Sequence, residues 1–363
     1  MPTILRRAAR WAALTLASAA LTGCRAGSPE PTPTAYAAAP PIGTPTAVPL
    51  VIISGKGPIT LPPSLQQPPQ AAPASSPVAA APSLAATWQG PRVLVYLDGL
   101  GSRAGCADSG GAPNANLNAI AGAVKATATA GIQTIAYSYG GAWQDCATGA
   151  TFDATSYPVR SVQTAMPVPA YEATNTCGGI AAAAKGLGAL VSSILTRQPD
   201  AGIVLAGHSL GGMVADYYAA TVTAATAAHL LAVISIDSPL LGADVSGFSP
   251  DLLSSYRGPC PLDSPSWLDI QGKSAVAGEI AKLGTSSLAG RVFAVNATVI
   301  GQAVPGTRYW VATCAPYGGL FGIGHSCPLM DAAALAHVAA IVAGEALLDF
   351  QLQGAVTAAP AKQ

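Results

Sequence analysis

From residue 92 onward, short runs of aliphatic and β-branched residues alternate with Ala-rich stretches of helical spacing. RVLVYL at 92–97, stopped by Asp98-Gly99, has the composition of a buried strand meeting a loop. IQTIAYSY from Ile132 repeats the pattern after LNAIAGAVKATATAG, a helical stretch that ends at a glycine. A second helix is expected from Gly179 to Arg197, followed by the break at Pro199-Asp200 and the strand AGIVLAG. LLAVISID at 230–237, RVFAVNA at 291–297 and RYWVATC at 308–314 supply further strands, and PLMDAAALAHVAAIVAGEALLDFQL closes the chain as one long helix. Strands alternating with helices predict an α/β fold, a mostly parallel central sheet flanked by helices with right-handed crossovers. The interval from Ser238 to Gly290 is too long for a plain crossover and predicts an insertion over the carboxyl edge of the sheet, before the strand at 291–297.

The ends read differently. Arg6, Arg7 and Arg10 precede an uncharged run from Trp11 to Gly23, the layout of a signal peptide over 1–23. That run is short of the roughly 20 apolar residues a membrane-spanning helix needs. Leu21-Thr22-Gly23-Cys24 resembles the lipobox of bacterial lipoproteins, which implies a lipidated Cys24 as membrane anchor and an extracytoplasmic location. An ordinary secretory signal with an incidental cysteine is the alternative. Residues 24–87 are dense in Pro, Ala, Ser and Thr and read as an extended tether, leaving 88–363 as a single domain. The formal net charge is zero over the whole chain, which gives nucleic acid no electrostatic footprint.

The chain holds seven cysteines. Beyond Cys24 these are Cys106, Cys146, Cys177, Cys260, Cys314 and Cys327, an even set that favours disulfides in an exported protein. Spacing makes Cys314 with Cys327 attractive, because that bridge closes the loop carrying His325. No C-x-x-C pair is present, so a zinc site is not expected, and no cofactor motif stands behind a strand as a dinucleotide site requires.

VLAGHSLGGMVADYY at 204–218 sets Gly-x-Ser-x-Gly between a strand and a helix. With 39 glycines in the chain, the bare motif proves little; the strand-turn-helix context gives it weight, since such a turn lifts the Ser209 hydroxyl above the sheet. Here the sequence resembles the α/β-hydrolase superfamily, and GHSLGG resembles the nucleophile elbow of its lipases and esterases. The likeness spans about residues 90 to 350, in element order.

A serine nucleophile needs a base, and the chain has four histidines. His208 adjoins the serine and normally points away from it, His229 precedes a strand and His337 lies in the last helix. His325 remains, in a glycine-rich loop after the last strand, where similar lipases carry their catalytic histidine. The acid is less direct. The family's usual site follows RVFAVNA, yet no carboxylate lies between Glu279 and His325, and Asn296 stands near that place. Asp237, at the end of VISID, keeps the order Ser, Asp, His; its alternative task is to shape a loop, and Asp269 and Asp263 are the other candidates. The backbone N–H groups of Leu210 and of Leu100, in a YLDGLGS loop that resembles HGLxG, are the expected oxyanion donors, with Asp98 in place of the family's His.

The implied activity is hydrolysis of carboxylic esters through an acyl-enzyme, with a lipid or small-molecule ester as partner. Leu240, Leu241, Phe248, Leu252, Leu253, Trp267, Leu268 and Ile270 either line an acyl pocket or lid, or pack the insertion onto the domain. Two rivals stay open: acyl transfer to an acceptor other than water, and a surface lipoprotein that uses the fold only for binding.

Overall fold

The computed structural model describes residues 87–102, 115–127, 132–140, 142–145, 151–153, 173–243, 259–298, 300–312, 325–345 and 350–353. All of them fall in one unit, Ile59–Gln363. The expected signal peptide, Cys24 and nearly all of the tether lie outside the described residues.

The sheet begins with β1 (Arg92–Leu97), β2 (Ile132–Ala136), β3 (Ala142–Asp145) and β4 (Thr151–Asp153). It continues with β5 (Gly202–His208), β6 (Leu230–Ile236), β7 (Val292–Asn296), β8 (Arg308–Val311) and β9 (Gln351–Leu352). Their order across the sheet is β4-β3-β2-β1-β5-β6-β7-β8-β9. The six strands from β2 to β8 in that order pair in parallel, whereas β3, β4 and β9 add antiparallel edges. Those edges were not foreseen. They are two to four residues long and carry no apolar run, as suits strands that end a sheet.

Alternation of side chains decides the layers. Val93, Val95 and Leu97 of β1, with Ile203 and Leu205 of β5, face one core. There they meet α2 (Ile180–Arg197) and α3 (Leu210–Thr221). Leu94, Tyr96, Val204 and Ala206 face the other, against α1 (Ala115–Thr127) and α7 (Ala332–Ala343). Both faces of β5 and β6 are therefore covered, which is why all seven residues of each are buried. The expected closing helix is shorter than its pattern suggested: Asp331 caps α7 through Ala333 N and Ala334 N, and Gly344, with φ 81°, ends it.

Between β6 and β7 the chain forms α5 (Pro265–Ile270) and α6 (Val276–Ala281), after the single turn α4 (Ala224–Ala227) that precedes β6. Of the two roles open to its apolar residues, packing is the one seen for Leu240, Trp267 and Ile270, which are buried in the α2–α3 core. Leu241 is partly buried against the same core, Leu268 is exposed, and Phe248, Leu252 and Leu253 lie outside the described residues. This segment also caps α2 from a distance. Ile180 N donates to Asp269 Oδ2 at 2.7 Å and Gly179 N to Ser266 Oγ at 2.9 Å. A Cys177–Cys260 disulfide ties the same two segments.

One buried carboxyl is unusual. Asp216 of α3 is fully buried, accepts a 2.5 Å hydrogen bond from Ser235 of β6, and its Oδ1 has no hydrogen-bond partner among the described residues. Burial raises its pKa to about 7, with Ser235 opposing. In the unfolded chain the group loses its proton near an ordinary ~3.9. Between those values the folded state holds a proton that the unfolded state has released, so this group's stabilisation is complete at low pH and is lost as pH rises through about 7. Asp216→Asn is expected to raise the melting temperature at pH 8 by several degrees and leave it nearly unchanged at pH 4, as followed by circular dichroism. A mutant that loses stability equally at both values would contradict the sign.

Candidate active site

Strand β5 ends at His208 and α3 begins at Leu210, so Ser209 alone makes the turn, at φ 56° and ψ −121°. An L-residue is strained there, and the turn persists because the packing around it admits no other path. A Cβ on Gly211 would lie 2.3 Å from the carbonyl oxygen of Leu97, so the residue two beyond the serine must be glycine for α3 to sit against β1. Ser209 N donates to Ile236 O at 2.9 Å, which fastens the turn to the end of β6. Ser209 itself is half-buried on the carboxyl edge of the sheet.

One residue beyond Ile236, Asp237 also has a positive φ, 47°. Its carboxylate is fully buried and fully engaged. Oδ1 accepts from Ala297 N at 2.8 Å and Thr298 N at 2.9 Å, while Oδ2 accepts from Thr298 Oγ1 at 2.7 Å. Oδ2 also lies 2.8 Å from Nδ1 of His325. Burial works against its charge, but His325, the Ala297 amide and the Thr298 side chain together hold its pKa below the ordinary value. A Cβ on Gly301 would lie 2.2 Å from Asp237 Oδ1, so glycine there leaves the carboxylate its room.

His325 is buried, and a carboxylate can only accept, so its Nδ1 carries the proton and the basic lone pair falls on Nε2. Burial pulls the imidazole below its usual pKa; Asp237 opposes this and His208 adds to it. A histidine neutral at neutral pH, with its tautomer fixed by a carboxylate, is what a general base requires.

The YLDGLGS loop turns beside the serine. Ser102 N donates to Gly99 O at 3.2 Å, and Gly101 takes φ 72°, as the third residue of a type II turn must. A Cβ on Gly99 would stand 3.1 Å from Ser209 Cβ, and Gly101 N is braced by Thr176 Oγ1 at 2.9 Å. Leu100 thus lies in a turn packed on Ser209, and Leu210 is the first residue of α3.

The structure brings Asp237 and His325 into contact, and ties their segments to the turn at Ser209 through the Ser209 N–Ile236 O hydrogen bond and the contact of His208 with the His325 carbonyl. It does not bring the other candidate acids there: Asp269 caps α2, Asp263 is exposed, and Asn296 ends β7 buried next to Gly301. His229 bonds Ala201 O and His337 packs at a tilt against Trp310. Sequence reasoning missed Thr298, and it missed the contact of His208 with His325, whose rings lie 4.7 Å apart. Cys327 is disulfide-bonded; the expected bridge to Cys314 falls, with Cys106 and Cys146, outside the described residues. Among the described residues there is no group of three or more potential metal ligands.

A family model described as Cutinase matches residues 119–264, less than half of the chain. That stretch contains Ser209 and Asp237 on a mostly parallel sheet with helices on both faces. The chain has the α/β-hydrolase fold. Among solved structures it is similar to a cutinase-like protein from Cryptococcus sp., at 14% identity over 74% of this chain and 100% of that one, TM-score 0.36. An acetyl xylan esterase is 16% identical over 69% of this chain and 97% of that one, TM-score 0.31. The cutinase of Trichoderma reesei, in complex with a phosphonate inhibitor, is 16% identical over 53% of this chain and 76% of that one, TM-score 0.26. No curated protein matches this chain in sequence at a significant level.

Proposed function

We propose that the protein is a lipase- or esterase-like serine hydrolase that cleaves carboxylic esters through an acyl-enzyme on Ser209. The observation that carries this reading is the buried 2.8 Å contact between His325 Nδ1 and Asp237 Oδ2, beside a serine held on a strained elbow. A match to a cutinase family model over the segment that contains the elbow supports ester chemistry.

In this mechanism Ser209 Oγ attacks the ester carbonyl and His325 Nε2 takes its proton. Asp237 stabilises the imidazolium so formed without itself being protonated. The oxyanion is met by the backbone N–H groups of Leu100 and Leu210, and the N-terminus of α3 favours its charge. Collapse breaks the bond to the alcohol, which leaves with the proton from His325. Water, deprotonated by the same histidine, then releases the acid and restores Ser209.

The reading extends to place. A cleaved signal, lipidation of Cys24 and a Pro-rich tether would hold the domain outside the cytoplasm, and the Cys177–Cys260 disulfide suits an oxidising compartment. The test is hydrolysis of p-nitrophenyl esters of increasing acyl length by the processed protein made under oxidising conditions. Turnover is expected, with the chain-length profile separating esterase from lipase. Folded protein that turns over none of the esters would contradict the proposal.

A further inference from the structure

Two residues of the sequence motifs have no task in the chemistry above: His208, next to the nucleophile, and Asp98, which replaces the histidine of the HGLxG-like loop. They meet. His208 Nε2 lies 3.0 Å from the backbone carbonyl of His325, and since a carbonyl only accepts, that nitrogen carries a proton. On the other side, His208 Nδ1 stands 3.9 Å from Asp98 Oδ1, too far for a hydrogen bond but within reach of an ion pair. Both side chains are buried, so water screens the pair little.

Asp98 is itself fixed. Its Oδ1 accepts from Gly99 N at 2.9 Å, from Tyr96 OH at 3.3 Å and from Asn116 Nδ2 at 3.4 Å, and its carbonyl accepts from Tyr139 OH at 2.8 Å. One carboxylate therefore joins the loop expected to supply an oxyanion donor to the residue next to the nucleophile. Through His208 the connection runs on to the backbone of His325. The ring of His325 is held from the opposite side by Asp237.

We propose that Asp98 and His208 position the catalytic histidine: His208 donates to the His325 carbonyl, Asp98 orients His208, and together they lock the histidine-bearing segment onto the nucleophile elbow. This rests on the triad reading above. His208 is a positioning residue, since it acts on the reaction only through His325. A carboxylate at position 98 complements the charge of a protonated His208.

The charge has a consequence for His325. Burial favours the neutral form of His208, yet Asp98, the His325 carbonyl and Asp237 outweigh it and raise its pKa. A cationic His208 then disfavours a second positive charge on His325, adding to the effect of burial. Among the described residues, the ionisable groups facing His208 are Asp98, Asp237 and His325, with Tyr96 and Tyr139 behind Asp98. Removing the charge on His208 makes His325 easier to protonate and moves the acid limb of the kcat/KM profile to higher pH.

The experiment is a pH profile of kcat and KM on a short-chain p-nitrophenyl ester, with the processed full chain and its His208→Gln, His208→Leu and Asp98→Asn variants. His208→Leu is expected to lower plateau kcat by about tenfold or more, the effect of losing one buried hydrogen bond that holds the segment carrying His325, with KM little changed. His208→Gln retains an N–H donor without a charge; it recovers most of that loss while its acid limb moves to higher pH. Asp98→Asn shifts the limb in the same direction. If His208→Leu does not fold, the limbs of the other two variants decide. Limbs that stay in place in both, or equal kcat losses in the Leu and Gln variants, overturn the proposal. A wild-type protein without turnover would overturn the triad reading and this proposal with it; an active wild type with unmoved variants would overturn this proposal alone.

Discussion

Asp237→Asn is expected to lower kcat by about four orders of magnitude, the scale seen when a triad acid becomes an amide, with KM changed far less. The reason lies in the hydrogen bonds of the carboxylate. Oδ1 accepts from Ala297 N and Thr298 N, so an asparagine would keep its oxygen there and turn its NH2 group toward His325. A donor facing Nδ1 forces the imidazole into the tautomer whose proton sits on Nε2. That tautomer has no lone pair to offer the serine. Because the amide fills the same space, the fold should survive, and circular dichroism would separate a chemical effect from a structural one. Near-normal turnover would place the acid elsewhere.

Ser209→Ala is expected to cost more, on the order of 10⁶ in kcat, because removing the nucleophile leaves only binding and oxyanion stabilisation. The backbone strain of the elbow remains in the alanine variant, since φ 56° is unfavourable to any residue with a Cβ. Stability should therefore change little, and substrate binding should persist. The paired losses differ in a useful way. Without Asp237, Ser209 is still present for a highly reactive reagent to modify, slowly; without Ser209, no covalent product forms at all.

The parts of the fold legible in the sequence are those whose burial is continuous. The cores of β1, β5 and β6 are apolar on both faces, so their runs announce themselves without any partner being known. The edge strands β3, β4 and β9 are defined by pairing to a neighbour, and nothing in four residues such as AWQD marks that pairing. The end of α7 was misjudged for a different reason: apolar residues continue past Gly344, but that glycine's left-handed conformation stops the helix. In the site, Ser209 stood out because a sharp strand-to-helix turn needs small neighbours at fixed spacing. His325 emerged by elimination among four histidines, and Asp237 by its place at a strand end. The direction of His208 had no such signal. It depends on a backbone carbonyl 117 residues away in sequence, and Thr298 meets Asp237 across 61 residues. Contacts of that range follow from the folded sheet edge and leave no local pattern.

The measurement that bears most directly on the central claim is covalent labelling by a fluorophosphonate, read by mass spectrometry of the intact protein and its peptides. The account predicts one adduct per chain, on the peptide carrying Ser209, and none in Ser209→Ala. Folded wild-type protein that takes up no label, or labels equally when Ser209 is alanine, would contradict it.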